Sequence, residues 1–87
     1  MISRTTKTFW QHYEALPLAA QRQAMRAYAL WQSDPWHQSL HFKCVSEKHG
    51  TWSARVGIHW RALGFRDDEA VTWFWVGSHA DYDRLIG

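Results

Sequence analysis

Arg55 and Arg61 stand either side of a glycine in RVGIHWR (55–61), inside a stretch that otherwise alternates like β-strand. Joining 51–56 to 60–65 through a three-residue loop, Gly57-Ile58-His59, predicts a hairpin, with Gly57 supplying the positive φ such a loop needs. In that register Val56 faces Trp60, Ala54 faces Ala62 and Arg55 faces Arg61. The apolar set Trp52, Ala54, Val56, Trp60 and Ala62 then covers one face, and both arginines point to the other. Like charges directly opposite on a sheet destabilise it by roughly 0.2–1 kcal/mol. A guanidinium pair on an open face suits phosphate, because each offers a fork of donors matched to anion oxygens. The competing readings are that both arginines are simply solvated, or that Asp81 or Asp83 folds back to pair with them. A two-residue loop would put the arginines on opposite faces.

The second candidate stretch is GSHADYDR (77–84), which follows the most apolar strand. His79 has the chemistry of a general acid or base near neutrality. Its alternative role is a strand-end residue bonded to backbone. Tyr82 and Arg84 lie close to it in sequence. Ser78, His79 and Asp81 do not make a hydrolase triad, whose members meet in space from separate segments. His37, His41 and Cys44 carry metal-ligand types, but they fall on loop and strand, and neither CxxC nor HExxH is present, so no metal is expected. Trp36, Trp52, Trp73 and Trp75 have the chemistry to stack on bases. Core packing is the commoner fate of tryptophan in a small domain, and it is the expectation for Trp52 and Trp60. Lys43 adds a charge to the open face or is an ordinary exposed lysine.

These side chains need elements to hold them. TTKTFWQHYEALP reads as a first helix, N-capped by Thr5 or Thr6, with Phe9, Tyr13 and Leu16 at helical spacing. Pro17 ends it and suits the start of the next. LAAQRQAMRAYALWQSDP is a second helix with an apolar stripe of Leu18, Ala24, Met25, Tyr28 and Trp31 and a wet side of Gln21, Arg22, Gln23 and Arg26. Asp34-Pro35 stops it. So short a link implies an antiparallel helical hairpin. After Pro35 the period falls from 3.6 to 2, giving strands at 40–45, 51–56, 59–65 and 70–77. The last, AVTWFWVG, is apolar on both faces and reads as a central strand. The tail predicts one short helical turn, and residues 1–5 carry a weak edge-strand signal. The expected fold is α+β, an N-terminal helical hairpin on one face of a small antiparallel sheet.

Length and composition agree with one domain over 1–87. A chain of 87 residues buries roughly 60–65% of its unfolded surface. Seven tryptophans, four phenylalanines and three tyrosines offset the small size with large buried areas. The formal charge is +2 and the pI about 9.0, with acids clustered late and a basic middle, a mild pointer to a polyanionic partner. Cys44 is the single cysteine, so no intramolecular disulfide forms and a cytosolic setting is expected. The start has no apolar h-region, and the longest apolar run is far too short to cross a bilayer, so neither signal peptide nor membrane partner is expected.

Two helices ending in DPWHQSLHFK, then WSARVGIHWRALG, then a Trp-rich strand closing in WVGSHADYDRL, resemble the RelE/ParE superfamily of bacterial toxins over nearly the whole chain. The resemblance implies helices on one face of the sheet and an active site on the other. It implies a type II toxin–antitoxin toxin, with a cognate antitoxin as partner. RelE-like members are metal-independent endoribonucleases, often acting on messenger RNA in the ribosome, and they need no cofactor. A 2′-hydroxyl attacks the adjacent phosphate, and basic residues on the middle strands stabilise the developing charge. By position the resemblance assigns Arg55, Arg61, His79 and Tyr82 to catalysis. Lys43 and Arg84 stand as RNA-binding candidates. Ser53 stands where some members carry a second basic residue. ParE-like members poison DNA gyrase without a ribonuclease site, so the resemblance leaves both activities open, together with a third reading, a non-toxic member of the fold that binds RNA or protein.

Overall fold

A computed structural model describes residues 1–87. In chain order the elements are β1 (Ile2–Thr5), α1 (Lys7–Glu14), α2 (Leu18–Ser33), a 3-10 turn (Gln38–Leu40), β2 (Lys43–Ser46), β3 (Thr51–Val56), β4 (Trp60–Asp67), β5 (Ala70–Ser78) and α3 (His79–Ile86). The five strands form one sheet in the order β1-β5-β4-β3-β2. The β2–β5 meander is antiparallel as expected. The weak signal at the N-terminus is a real strand, but it pairs parallel to β5, so the sheet is mixed rather than purely antiparallel. Its sequence, ISRT, is polar enough for an edge. β5 therefore lies between β4 and β1, an interior position that accounts for its apolar residues on both faces.

Thr6 caps α1, its hydroxyl accepting from the Phe9 amide at 3.1 Å. Pro17 occupies the N-cap of α2. Both helices cover one face of the sheet. There Phe9, Leu16, Ala20, Ala24 and Trp31 meet Ala54, Val56, Ala62, Val71, Trp73 and Val76 in the main core. The expected α2 stripe is only partly right. Ala20, Ala24 and Trp31 are buried, but Leu18 is 69% exposed and Met25 is also exposed. Leu18 is the first residue of the helix. The Tyr28 hydroxyl donates to Ser3 Oγ at 2.8 Å and ties α2 to β1.

The segment 40–45 is not one strand. Leu40 closes the 3-10 turn, and His41 is left-handed at φ 44°. Leu40 and Phe42 are both buried, so a turn followed by a kinked residue reproduces the spacing of two that a strand would give. The tail is longer than expected. α3 has eight residues, with the Ser78 hydroxyl accepting from the Asp81 amide at 3.1 Å. Ser78 followed three residues on by Asp81 is a helix-start signature. α3 lies on the face opposite α1 and α2, where Tyr82 packs with Leu63 and Trp75 in a second, smaller cluster.

One irregularity controls which residues reach which face. Leu63 pairs with Trp75 and Gly64 with Trp73, leaving Phe74 as the extra residue of a β-bulge. Strict alternation would put Trp73 and Trp75 on one face. The bulge sends Trp73 into the main core and Trp75 under α3.

Candidate functional site

The β3–β4 hairpin has the expected three-residue loop. Val56 pairs with Trp60, Arg55 with Arg61 and Ala54 with Ala62. Gly57 has φ +63°, and a Cβ there would press on the Gln23 side chain of α2. Both arginines thus start from the face opposite the helical hairpin. Across β5, Arg61 pairs with Gly77, and the Trp75 ring fills the space that a Cβ at Gly77 would take.

The two guanidinium groups then part. Arg61 lies over the Tyr82 ring, 5.7 Å from its centroid. Arg55 curls back along the hairpin, its Nε donating to the Gly57 carbonyl at 3.1 Å, and lines a groove beside Gln23 and Arg26 of α2. This separation lowers the repulsion that direct opposition implies. Neither arginine has a carboxylate partner. The two ion pairs of the molecule are His79 with Asp83 and Arg84 with Asp81, so the acids of the tail serve their own helix and leave the arginine pair free.

His79 is the first residue of α3. Its backbone amide donates to the His59 carbonyl at 2.8 Å, closing the strand end. Its side chain remains available. Nδ1 lies 3.1 Å from Asp83 Oδ2, and the ring stands edge-on to Tyr82 at 5.8 Å between centroids. Asp83 thus engages one ring nitrogen, Nδ1, and fixes the orientation of the ring. Tyr82 is buried, and its hydroxyl donates to Ser53 Oγ at 3.3 Å. It therefore presents its ring to Arg61 and His79, while its oxygen faces inward.

Arg61, His79 and Tyr82 form one cluster, joined through the Tyr82 ring. Arg55 borders it. Lys43 is exposed and pairs in register with Ser53, which puts it on the same face two strands away from Arg61. Arg84 is exposed and held by Asp81. Two residues of this cluster went unassigned by sequence reasoning. Asp83 orients His79, a role visible in the His79-to-Asp83 spacing of four once the tail is known to be helical. Ser53 is 2% exposed beneath Tyr82, and a charged residue there would be buried unless α3 moved.

Most of the tryptophans are taken up by packing and not left free to stack on bases. Trp73 and Trp75 are buried and offer no face to a base. Trp52 packs against the main core and is covered by Arg66, whose guanidinium lies 4.5 Å above its ring and 5.3 Å from Trp36. Trp60 joins the core margin as expected. Trp36 is 57% exposed. His37 Nδ1 is engaged by Ser39, and no group of three or more His, Cys, Asp or Glu side chains is arranged to hold a metal ion. No helix is long and apolar enough to cross a membrane.

Comparison with known proteins matches residues 18–84 to the family model of the ParE-like toxin domain. No curated protein is matched. Among solved structures, the RelBE2 toxin–antitoxin complex from Mycobacterium tuberculosis superposes with a TM-score of 0.70 and 26% identity, over 90% of this chain and 96% of that one. The RelB–RelE antitoxin–toxin complex from Methanococcus jannaschii gives a TM-score of 0.74 at 14% identity, over 97% and 99%. YafQ from E. coli gives 0.67 at 17% identity, over 98% and 97%.

Proposed function

The chain belongs to the ParE-like toxin domain family, and from that premise we propose that this type II toxin of RelE/ParE fold is a metal-independent endoribonuclease acting on messenger RNA at the ribosome. The observation that carries this reading is Arg61. It is a guanidinium without a carboxylate partner, lying over Tyr82 beside a histidine oriented by Asp83. Arg61 holds the scissile phosphate and stabilises the charge that builds on it. His79 Nε2 takes the proton of the 2′-hydroxyl as that oxygen bonds to phosphorus. The P–O5′ bond breaks, the 5′ oxygen takes a proton from the imidazolium or from water, and a 2′,3′-cyclic phosphate remains. The partner is a cognate antitoxin, in keeping with the complexes in which the M. tuberculosis and M. jannaschii proteins were solved, and the setting is the cytoplasm.

The test is cleavage of messenger RNA on translating ribosomes. Arg61→Ala and His79→Ala are each expected to lower the rate by about 100-fold or more. Cleavage at the wild-type rate in both variants would sink the assignment. A second reading, inhibition of DNA gyrase without ribonuclease chemistry, is favoured by the matching family model being the ParE-like one and by Ser53 at a position that is basic in some RelE-like members. Supercoiling inhibited by a preparation that leaves RNA intact would select it.

A further inference from the structure

The Arg55 side chain leads away from the candidate site to a groove that neither proposed activity uses. The groove lies between α2 and the β3–β4 turn and has a volume of about 420 Å³, within the range of about 300–1,000 Å³ for ligand pockets. Its polar lining is Gln23 and Arg26 of α2, Ser39 of the 3-10 turn, and Arg55 with Gly57 of the hairpin. Gln23 and Arg26 are one helical turn apart and so share a face. Arg55 spends its Nε on the Gly57 carbonyl, and its terminal nitrogens make no bond within the protein. Arg26 has no ion-pair partner either, since both ion pairs of the molecule lie in α3. Two guanidinium groups left unneutralised in one concave site call for an anion.

We infer that this groove binds a backbone phosphate of the RNA strand beside the one cleaved, with Arg26 and Arg55 as its ligands. The inference rests on the ribonuclease reading for its RNA. Continuity favours RNA over other anions. Arg55 is the direct ladder partner of Arg61, and adjacent strands run only about 4.8 Å apart. The two side chains leave the hairpin in different directions, so a strand held at Arg61 has to round the β3–β4 turn to reach the groove. Exposed Ile58, with Leu30 and Leu40, adds an apolar wall for a sugar or base.

The test is fluorescence-anisotropy binding of a 2′-O-methylated single-stranded RNA, which keeps its phosphates but has no attacking hydroxyl. Arg26→Ala is expected to weaken binding about five- to tenfold and to lower the slope of log affinity against log salt by about 0.7, the value for one lost single-strand phosphate contact. Arg4→Ala, which removes the same charge from β1, outside the groove lining, is expected to leave the slope unchanged. Equal effects of the two variants overturn the subsite. So does Arg26-dependent binding of polyglutamate with no binding of RNA, which assigns the groove to an acidic polypeptide. Wild-type protein that cleaves ribosomal messenger RNA while Arg26→Ala binds normally leaves the ribonuclease reading standing and removes this one. Wild-type protein that binds the blocked RNA through Arg26 but cleaves nothing does the reverse.

Discussion

At the scale of single residues, the candidate site separates side chains that hold a charge from side chains that hold other side chains. Tyr82 belongs with the second kind, because its hydroxyl is committed to Ser53 and only its ring faces Arg61 and His79. Tyr82→Phe is therefore expected to keep cleavage within about threefold of wild type, while unfolding in urea shows a loss of about 0.5–1.5 kcal/mol for the missing hydrogen bond. A loss of cleavage as large as that of Arg61→Ala would mean that the hydroxyl itself takes part. Asp83 contacts His79, and in the proposed mechanism it acts through that ring. Asp83→Asn is expected to slow single-turnover cleavage by on the order of tenfold, less than the roughly 10²–10⁴-fold contribution of the imidazole, with substrate affinity kept. Residue type and spacing single out Arg61 and His79 because a guanidinium and an imidazole suit the proposed chemistry. Asp83 enters the sequence reading only as a possible partner of the arginines and Ser53 only as a departure from the family pattern, because their contacts with His79 and Tyr82 depend on the fold.

At the scale of elements, the hairpin loop, the bulge and the tail helix position the cluster. The three-residue loop was legible because Gly57 is one of the few residues at ease at φ +63°. The bulge at Phe74 left no such mark, since nothing in AVTWFWVG distinguishes an inserted residue from a regular one. Its consequence is that Trp75 lies over Gly77 under α3. Gly77→Ala is expected to destabilise the protein by about 1–3 kcal/mol through overpacking against the Trp75 ring, read as a lower urea midpoint at unchanged slope. An unchanged midpoint would show that the ring moves aside freely. The tail helix was undersized from sequence because its short apolar pattern resembles a single turn. The Ser78 cap and the packing of Tyr82 on Leu63 extend it.

At the scale of the whole molecule, two apolar clusters share one sheet, the larger beneath α1 and α2 and the smaller beneath α3. Because β4 and β5 contribute to both, thermal unfolding followed by tryptophan fluorescence and by far-ultraviolet circular dichroism is expected to give one coincident transition. A separate early transition would divide the single domain proposed for 1–87. The sequence by itself determined the α+β class, the antiparallel meander, the hairpin register and the interior position of β5. All of these follow from local periodicity and from glycine and proline, which act within a few residues. The tertiary structure alone decided that β1 joins parallel, that Trp73 and Trp75 face opposite ways, and that Arg55 turns to α2 while Arg61 turns to Tyr82. Those outcomes depend on which distant segment comes to lie beside each residue, and a period of two along a strand carries no information about that neighbour.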